Sequence, residues 1–202
     1  MDESSTRGPE YAARLEATTA SRQGWRRWLD PQRPYRWNIR RLHLGRVLDV
    51  GCGTGRNLAH LDGNGVGVDH NETAVAIARS RGLRAWITAE FASSADAVPR
   101  SFDTVLFAHV LEHMTPLEAS ALVHEHLRYV RPGGRVVVIC PQQRGQRSDP
   151  THVTYMPPEV IAALLAEAGV SVERTTSFPL PSFAGRWFTH NETIVVGRTA
   201  EG

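Results

Sequence analysis

Lysine is absent from this 202-residue chain, and all 23 of its basic residues are arginine. Schiff-base chemistry through a lysine amine is therefore excluded. Cysteine is scarce. Cys52 and Cys140 are too few for a disulfide framework or a thiolate metal site. Each ends a short apolar run, where cysteine reads as a small buried residue. Long apolar runs are missing too, since none approaches the roughly 20 residues of a membrane span. Met1 to Pro9 is polar and lacks the apolar core of a secretion signal, so a cytoplasmic chain without a membrane partner is expected. Neither charge dominates: 23 basic against 21 acidic residues give +2, which calls for no polyanionic partner.

What is present is core material with regular punctuation. Hydrophobic residues make up 41% of the chain, enough for one domain with a short appendage. Residues 10–23 and Trp25 to Asp30 read as helices, after a disordered 1–9 and before a Pro31/Pro34 break. A helix through roughly 36–43 leads on. From Arg46 short β-rich runs alternate with helical stretches. Strands are expected at 46–50, 65–69, 84–88, 102–108 and 134–140, and helices near 55–61, 71–81, 91–97 and 116–130. Such alternation is the signature of a parallel sheet covered on both faces. Later, a helix from Glu159 to Ala168 ends at Gly169, and strands follow at 170–176 and 193–198. No long helix joins those two, so an antiparallel pair is expected.

Arginine and aromatic residues interleave between Arg22 and Arg46, with Trp25, Trp28, Tyr35 and Trp37 among them. The pattern suits nucleic-acid binding, but it equally describes an amphipathic cover with a solvated face. The cover is the expectation here, and nucleic acid is not an expected partner.

The strongest local signal is Val47-Leu48-Asp49-Val50-Gly51-Cys52-Gly53-Thr54-Gly55. A strand breaks into alternating glycines, so the backbone must turn tightly and admit a ligand closely. The spacing is G-x-G-x-G, and Arg56 stands where a dinucleotide fingerprint needs its last glycine. Asp69 closes the next apolar run, where a parallel sheet offers a carboxylate to a ribose diol. Downstream come Ser101–Leu106 continuing into His109-Val110-Leu111-Glu112-His113, then Leu127–Gly134, then His152 and Tyr155 ahead of Ala166–Gly169.

In this order the segments resemble the small class I S-adenosylmethionine (SAM)-dependent methyltransferases. The resemblance implies a Rossmann-like α/β fold: a mostly parallel seven-stranded sheet with an antiparallel last strand and helices on both faces. It implies a methyltransferase domain over 46–202, with 1–45 as a helical cover and acceptor lid. It also implies SAM as cofactor and S-adenosylhomocysteine as product. Gly51, Cys52, Gly53 and Gly55 would lie against the methionine end, and Asp49 would receive its ammonium. Asp69 would bind the ribose hydroxyls, His70 would face the adenine, and Ala89-Glu90 would read the adenine edge. Thr88 stands where relatives often carry aspartate, a departure that bears on that last contact. His109 would close the pocket beside the sulfonium.

For the acceptor, a proton must be removed if it is a hydroxyl. His113 and His152 follow the fourth and fifth strands, where acceptors sit in open α/β sheets, and Asp149 is close enough in sequence to orient a histidine or help hold a divalent ion. His124 and His126 read as surface residues. O-methylation of a small-molecule or glycan hydroxyl with a histidine base is expected. N- or C-methylation of a small metabolite and a non-catalytic SAM-binding module are the alternatives. No metal site is assigned, magnesium is left open without being indicated, and the chain is expected as monomer or homodimer.

Overall fold

A computed structural model describes residues 32–202. The helices expected at 10–23 and Trp25 to Asp30, the disorder expected at 1–9, and Trp25 and Trp28 lie outside the described residues. Helix α1 spans Arg33–Arg41 with Pro34 in its first turn. The proline read as a break thus starts the helix, since its missing N–H is unneeded there. Strands β1 (Val47–Val50), β2 (Gly65–Asp69), β3 (Ala85–Ile87), β4 (Phe102–Ala108) and β5 (Val130–Pro141) follow in turn. Helices α2 (Arg56–His60), α3 (Glu72–Ser80), α4 (Thr88–Phe91) and α5 (Pro116–Leu127) separate them. A 3-10 turn at Leu111–His113 precedes α5. Then come α6 (Gln143–Ser148), α7 (Pro158–Glu167), β6 (Ser171–Phe178), a 3-10 turn at Ser182–Arg186, and β7 (Glu192–Arg198).

The strands form one sheet in the order β3-β2-β1-β4-β5-β7-β6. The pairs from β3 to β5 are parallel, whereas β7 runs antiparallel to β5 and β6. The expected mostly parallel seven-stranded sheet with a reversed last strand is what the described residues form. Order reverses between β1 and β4, and there the carboxyl ends of the strands open a crevice.

Side-chain alternation divides the core between the faces. Leu48, Val50, Val105, Phe107, Val136 and Val138 face one way and pack with Val123, Ile161 and Leu165 of α5 and α7. Val47, Leu106, Val137, Ile139, Ile194 and Val196 face the other way and meet Ile39 of α1 with Leu42 and Leu44. The start of the described chain therefore shares the sheet's core.

Three expectations are corrected. The helix placed at 91–97 instead covers Thr88–Phe91, because Phe91 is buried in edge contact with Tyr129, centroids 5.1 Å apart. Asp96 is then drawn inward to accept from Trp86 Nε1 at 2.9 Å. The helix placed at 116–130 ends at Leu127, and β5 begins at Val130, pairing with Phe102 across a register shift. His126 is buried rather than on the surface. It shares the inner face of α5 with Ala119 and Val123 and meets Phe107 edge-on, centroids 6.3 Å apart.

Asn191 anchors the aromatic segment between β6 and β7. Fully buried, it accepts from Leu180 N at 2.9 Å. It donates to Gln142 Oε1 at 2.9 Å and Ser177 Oγ at 3.0 Å. Asn191→Ala strands these buried groups, so urea unfolding is expected to show a loss of about 2–3 kcal/mol. A loss below about 0.5 kcal/mol would mean the hub is dispensable.

Candidate functional site

The turn after β1 is forced by glycine. Gly51, Gly53 and Gly55 have φ of +76°, +52° and +79°, where a Cβ is strained. A Cβ on Gly51 would also fall 2.7 Å from Val110 Cβ, so the segment after β4 is pressed onto the turn. Gly51 and Cys52 both donate their N–H to Val68 O, at 2.8 and 3.1 Å, which closes the turn against the end of β2.

Two carboxylates flank it. Asp69 is buried and accepts from Gly53 N at 2.7 Å through one oxygen and from Asn71 N at 2.8 Å through the other. The helix cap beyond is Asn71, which accepts from Ala74 N at 3.0 Å. Asp69 thus spans the glycine turn and the start of α3 without capping the helix itself. Asp49 is fully buried and neither of its oxygens is in a hydrogen bond. Burial pushes its pKa up to about 7, with the Asn57 side chain and the Arg56 guanidinium opposing the rise. A buried carboxylate without a hydrogen bond is costly unless a cation reaches it. The ammonium of a methionine moiety is such a cation, so turn and carboxylate fit SAM.

His70 is exposed, with Nδ1 3.7 Å from Asp69 Oδ1. Ala89 and Glu90 sit on exposed positions of α4, and Glu90 lies 3.5 Å from Arg79. These three residues are placed at the surface beside β2 and β3.

His109 ends the β4 segment with a φ of +58°. Its Nε2 meets Glu192 Oε1 at 2.8 Å, and its Nδ1 lies 3.3 Å from Glu112 Oε1. Burial alone would lower its pKa, but Glu112 and Glu192 outweigh this and raise it to about 10. His109 is therefore a cation between two carboxylates at neutral pH. With Tyr35, Asn38, Arg56 and Asn57 it lines a small cavity under α1. Tyr35 closes one side, donating its hydroxyl to His190 O at 2.8 Å and meeting Phe178 edge-on.

His113 and His152 come together although they are far apart in sequence. Their ring centroids are 4.8 Å apart at 60°. His113 Nδ1 contacts Thr151 O at 3.1 Å, and His152 Nδ1 contacts Gln146 O at 3.1 Å. Burial, together with His152, holds the His113 pKa below its ordinary value against the pull of Glu112 and Asp149. Asp149 reaches the pair through Thr151, accepting from its N at 2.9 Å and its hydroxyl at 2.7 Å. Val153 N and Thr154 N both donate to Glu112 O, at 2.8 and 3.0 Å, which pins the two loops together.

Sequence reasoning assigned no role to Glu112 or Glu192. Glu112 carried a signal, as a carboxylate three residues after His109 in an apolar stretch. Glu192 had none, because its pairing with His109 depends on the β5–β7 register.

Residues 47–134 match the family model described as a methyltransferase domain. Match and strand order together define the class: residues 47–134 form a methyltransferase domain on the class I, SAM-dependent methyltransferase fold. Among curated relatives it is 31% identical over 96 residues to the ubiquinone biosynthesis O-methyltransferase of Hahella chejuensis, covering 44% of this chain and 40% of that protein. It is 37% identical over 107 residues to the ribosomal protein L11 methyltransferase of Ralstonia pickettii, covering 50% and 34%. The chain thus spans less than half the length of these relatives. Among solved structures, magnesium protoporphyrin IX methyltransferase from Synechocystis PCC 6803 superposes with a TM-score of 0.68 at 17% identity, covering 96% of this chain and 97% of that one.

Proposed function

We propose that this chain transfers the methyl group of SAM to a hydroxyl oxygen of a small molecule or glycan, leaving S-adenosylhomocysteine. SAM, when bound, supplies an electrophilic methyl carbon. The chain must hold it, align the acceptor, exclude water and dispose of the acceptor's proton. The glycine turn and Asp49 suit the first task and Asp69 the ribose, while His70, Ala89 and Glu90 are the adenine-side candidates. Tyr35, Trp37 and Phe178 bring α1 against the end of β6, with Trp37 and Phe178 centroids 6.3 Å apart. Residues 1–45 and the aromatic segment before β7 are the proposed acceptor lid. Trp187 and Phe183 stay exposed there, as stacking surfaces for a ring or sugar do.

The observation that carries the hydroxyl reading is the His113–His152 pair, which follows β4 and β5 in loops joined to each other and to the glycine turn. Burial holds the His113 pKa below its ordinary value, which favours the neutral ring that can take up a proton. No membrane-length apolar helix occurs among the described residues.

The test combines calorimetric titration with S-adenosylhomocysteine and a methyl-transfer assay over phenols, sugars and amines. Micromolar binding and transfer to hydroxyls are expected. Replacing both histidines by asparagine should leave S-adenosylhomocysteine affinity within about threefold and lower turnover by at least ~100-fold. Transfer to amines only would overturn the hydroxyl assignment, and binding without turnover on any acceptor would point to a regulatory module.

A further inference from the structure

We propose that Glu112, His113 and His152 form a site for one divalent first-row transition cation. One ligand atom from each residue lies within 4.8 Å of the others. Bonds of roughly 2.0–2.2 Å to such an ion need separations nearer 3–3.5 Å, so the three side chains must draw together by about 1.5 Å when an ion binds.

Two further observations point to an ion rather than a chance cluster. The first is the orientation of the imidazoles. A carbonyl oxygen can only accept, so Thr151 O and Gln146 O each require a proton on the Nδ1 they face. Both rings therefore carry an unprotonated Nε2, the arrangement that backbone partners impose on metal-bound histidines. The second is Glu112. It has no accessible surface, and neither carboxylate oxygen is in a hydrogen bond. His109 balances its charge from the Oε1 side at 3.3 Å, while Oε2 has no hydrogen-bond partner among the described residues. A buried carboxylate oxygen without a hydrogen bond favours a cation beside it.

Two imidazoles and one carboxylate select zinc, cobalt, manganese or iron over magnesium and calcium, which prefer all-oxygen shells. Three protein ligands leave a position open, as catalytic rather than structural sites do. Resting on the hydroxyl reading above, this deepens it: the two histidines act on the acceptor through the cation. An acceptor oxygen in the open position loses its proton to solvent because the cation stabilises the oxyanion. That oxygen then bonds to the methyl carbon as the carbon–sulfur bond breaks, with the electron pair staying on sulfur.

The experiment strips the full chain with a chelator and titrates it with zinc, then cobalt, then magnesium, in a non-coordinating buffer. S-adenosylhomocysteine binding is measured on the same samples. One equivalent of zinc is expected, with a cobalt spectrum of low-symmetry coordination and no magnesium binding at millimolar levels. Glu112→Gln and His152→Asn should each weaken zinc at least tenfold while His124→Asn does not. Should Glu112→Gln fail to fold, His152→Asn and His113→Asn decide the matter. Zinc binding that survives these substitutions, or no zinc binding by a chain that binds S-adenosylhomocysteine, overturns the site and spares the methyltransferase reading. Zinc binding without S-adenosylhomocysteine binding supports the site and removes the methyltransferase reading instead.

Discussion

Asp49→Asn should bind SAM on the order of 100-fold more weakly than the parent while melting at a higher temperature without ligand. The two effects have one cause. Asp49 has no exposed surface, and the Asn57 side chain and the Arg56 guanidinium only partly offset its burial, so its negative charge is a cost to the folded chain. Its pKa is raised from 3.8 to about 7. A carboxyl whose folded value is raised makes the protein progressively less stable as pH climbs from about 4 to about 7, and the full cost persists above that. Asparagine removes the charge but leaves a buried amide to satisfy, so a net gain of about 1–3 kcal/mol at pH 8 is expected. SAM binding runs the other way. The ammonium needs the ionised carboxylate, and a charge-assisted bond contributes about 3 kcal/mol, which is ~100-fold in affinity. In the parent, affinity should therefore fall about tenfold per unit below pH 7, and in Asp49→Asn that slope should vanish. Calorimetry at pH 6 and 8 with thermal melts of both proteins checks this. A variant that melts lower and binds equally well would remove Asp49 from the cofactor site.

Asp49 also shows why this part of the molecule is legible in sequence. Strand, acidic residue, glycine turn and second acidic residue lie within 21 residues, Asp49 to Asp69, and their geometry is set by local backbone rules. The turn demands positive φ, only glycine supplies it freely, and the parallel alternation fixes which strand ends meet. The reversed β7 was legible for a similar reason, since Pro179, Pro181 and Gly185 leave no long helix between β6 and β7. Long-range terms were not. Arg131-Pro132-Gly133-Gly134 reads as a turn, yet β5 runs through it because Arg131 is held by Asp103 at 2.7 Å and Gly133 O by Arg198 at 2.9 Å. The inward position of His126 did leave a signal, its spacing from Ala119 and Val123, which a helix-period count would have caught. At the site, His113 and His152 were readable as residue types at strand ends. The Thr151 relay between Asp149 and His113 was not, because it depends on how a loop folds back.

The pairing of His109 with Glu192, 83 residues apart, carries the largest stability prediction. His109 holds Glu112 on one nitrogen and Glu192 on the other, and both carboxylates are buried. His109→Leu fills similar space but leaves two negative charges facing one another in a poorly solvated pocket. Removing one member of a buried charge cluster costs about 3–5 kcal/mol, mostly through the charges left behind. The urea midpoint should fall accordingly. Double variants separate this from lost packing: adding Glu192→Gln to His109→Leu removes one of the stranded charges and should recover at least ~1–2 kcal/mol, a coupling that independent sites do not show. If the double variant is no more stable than His109→Leu alone, the histidine's role is steric and the electrostatic account of this cluster fails. Recovery would establish that the carboxyl ends of β4 and β5 and the start of β7 are joined by charge. The pocket would then be built to keep Glu112 ionised, and an ionised Glu112 is what the acceptor side of the site requires.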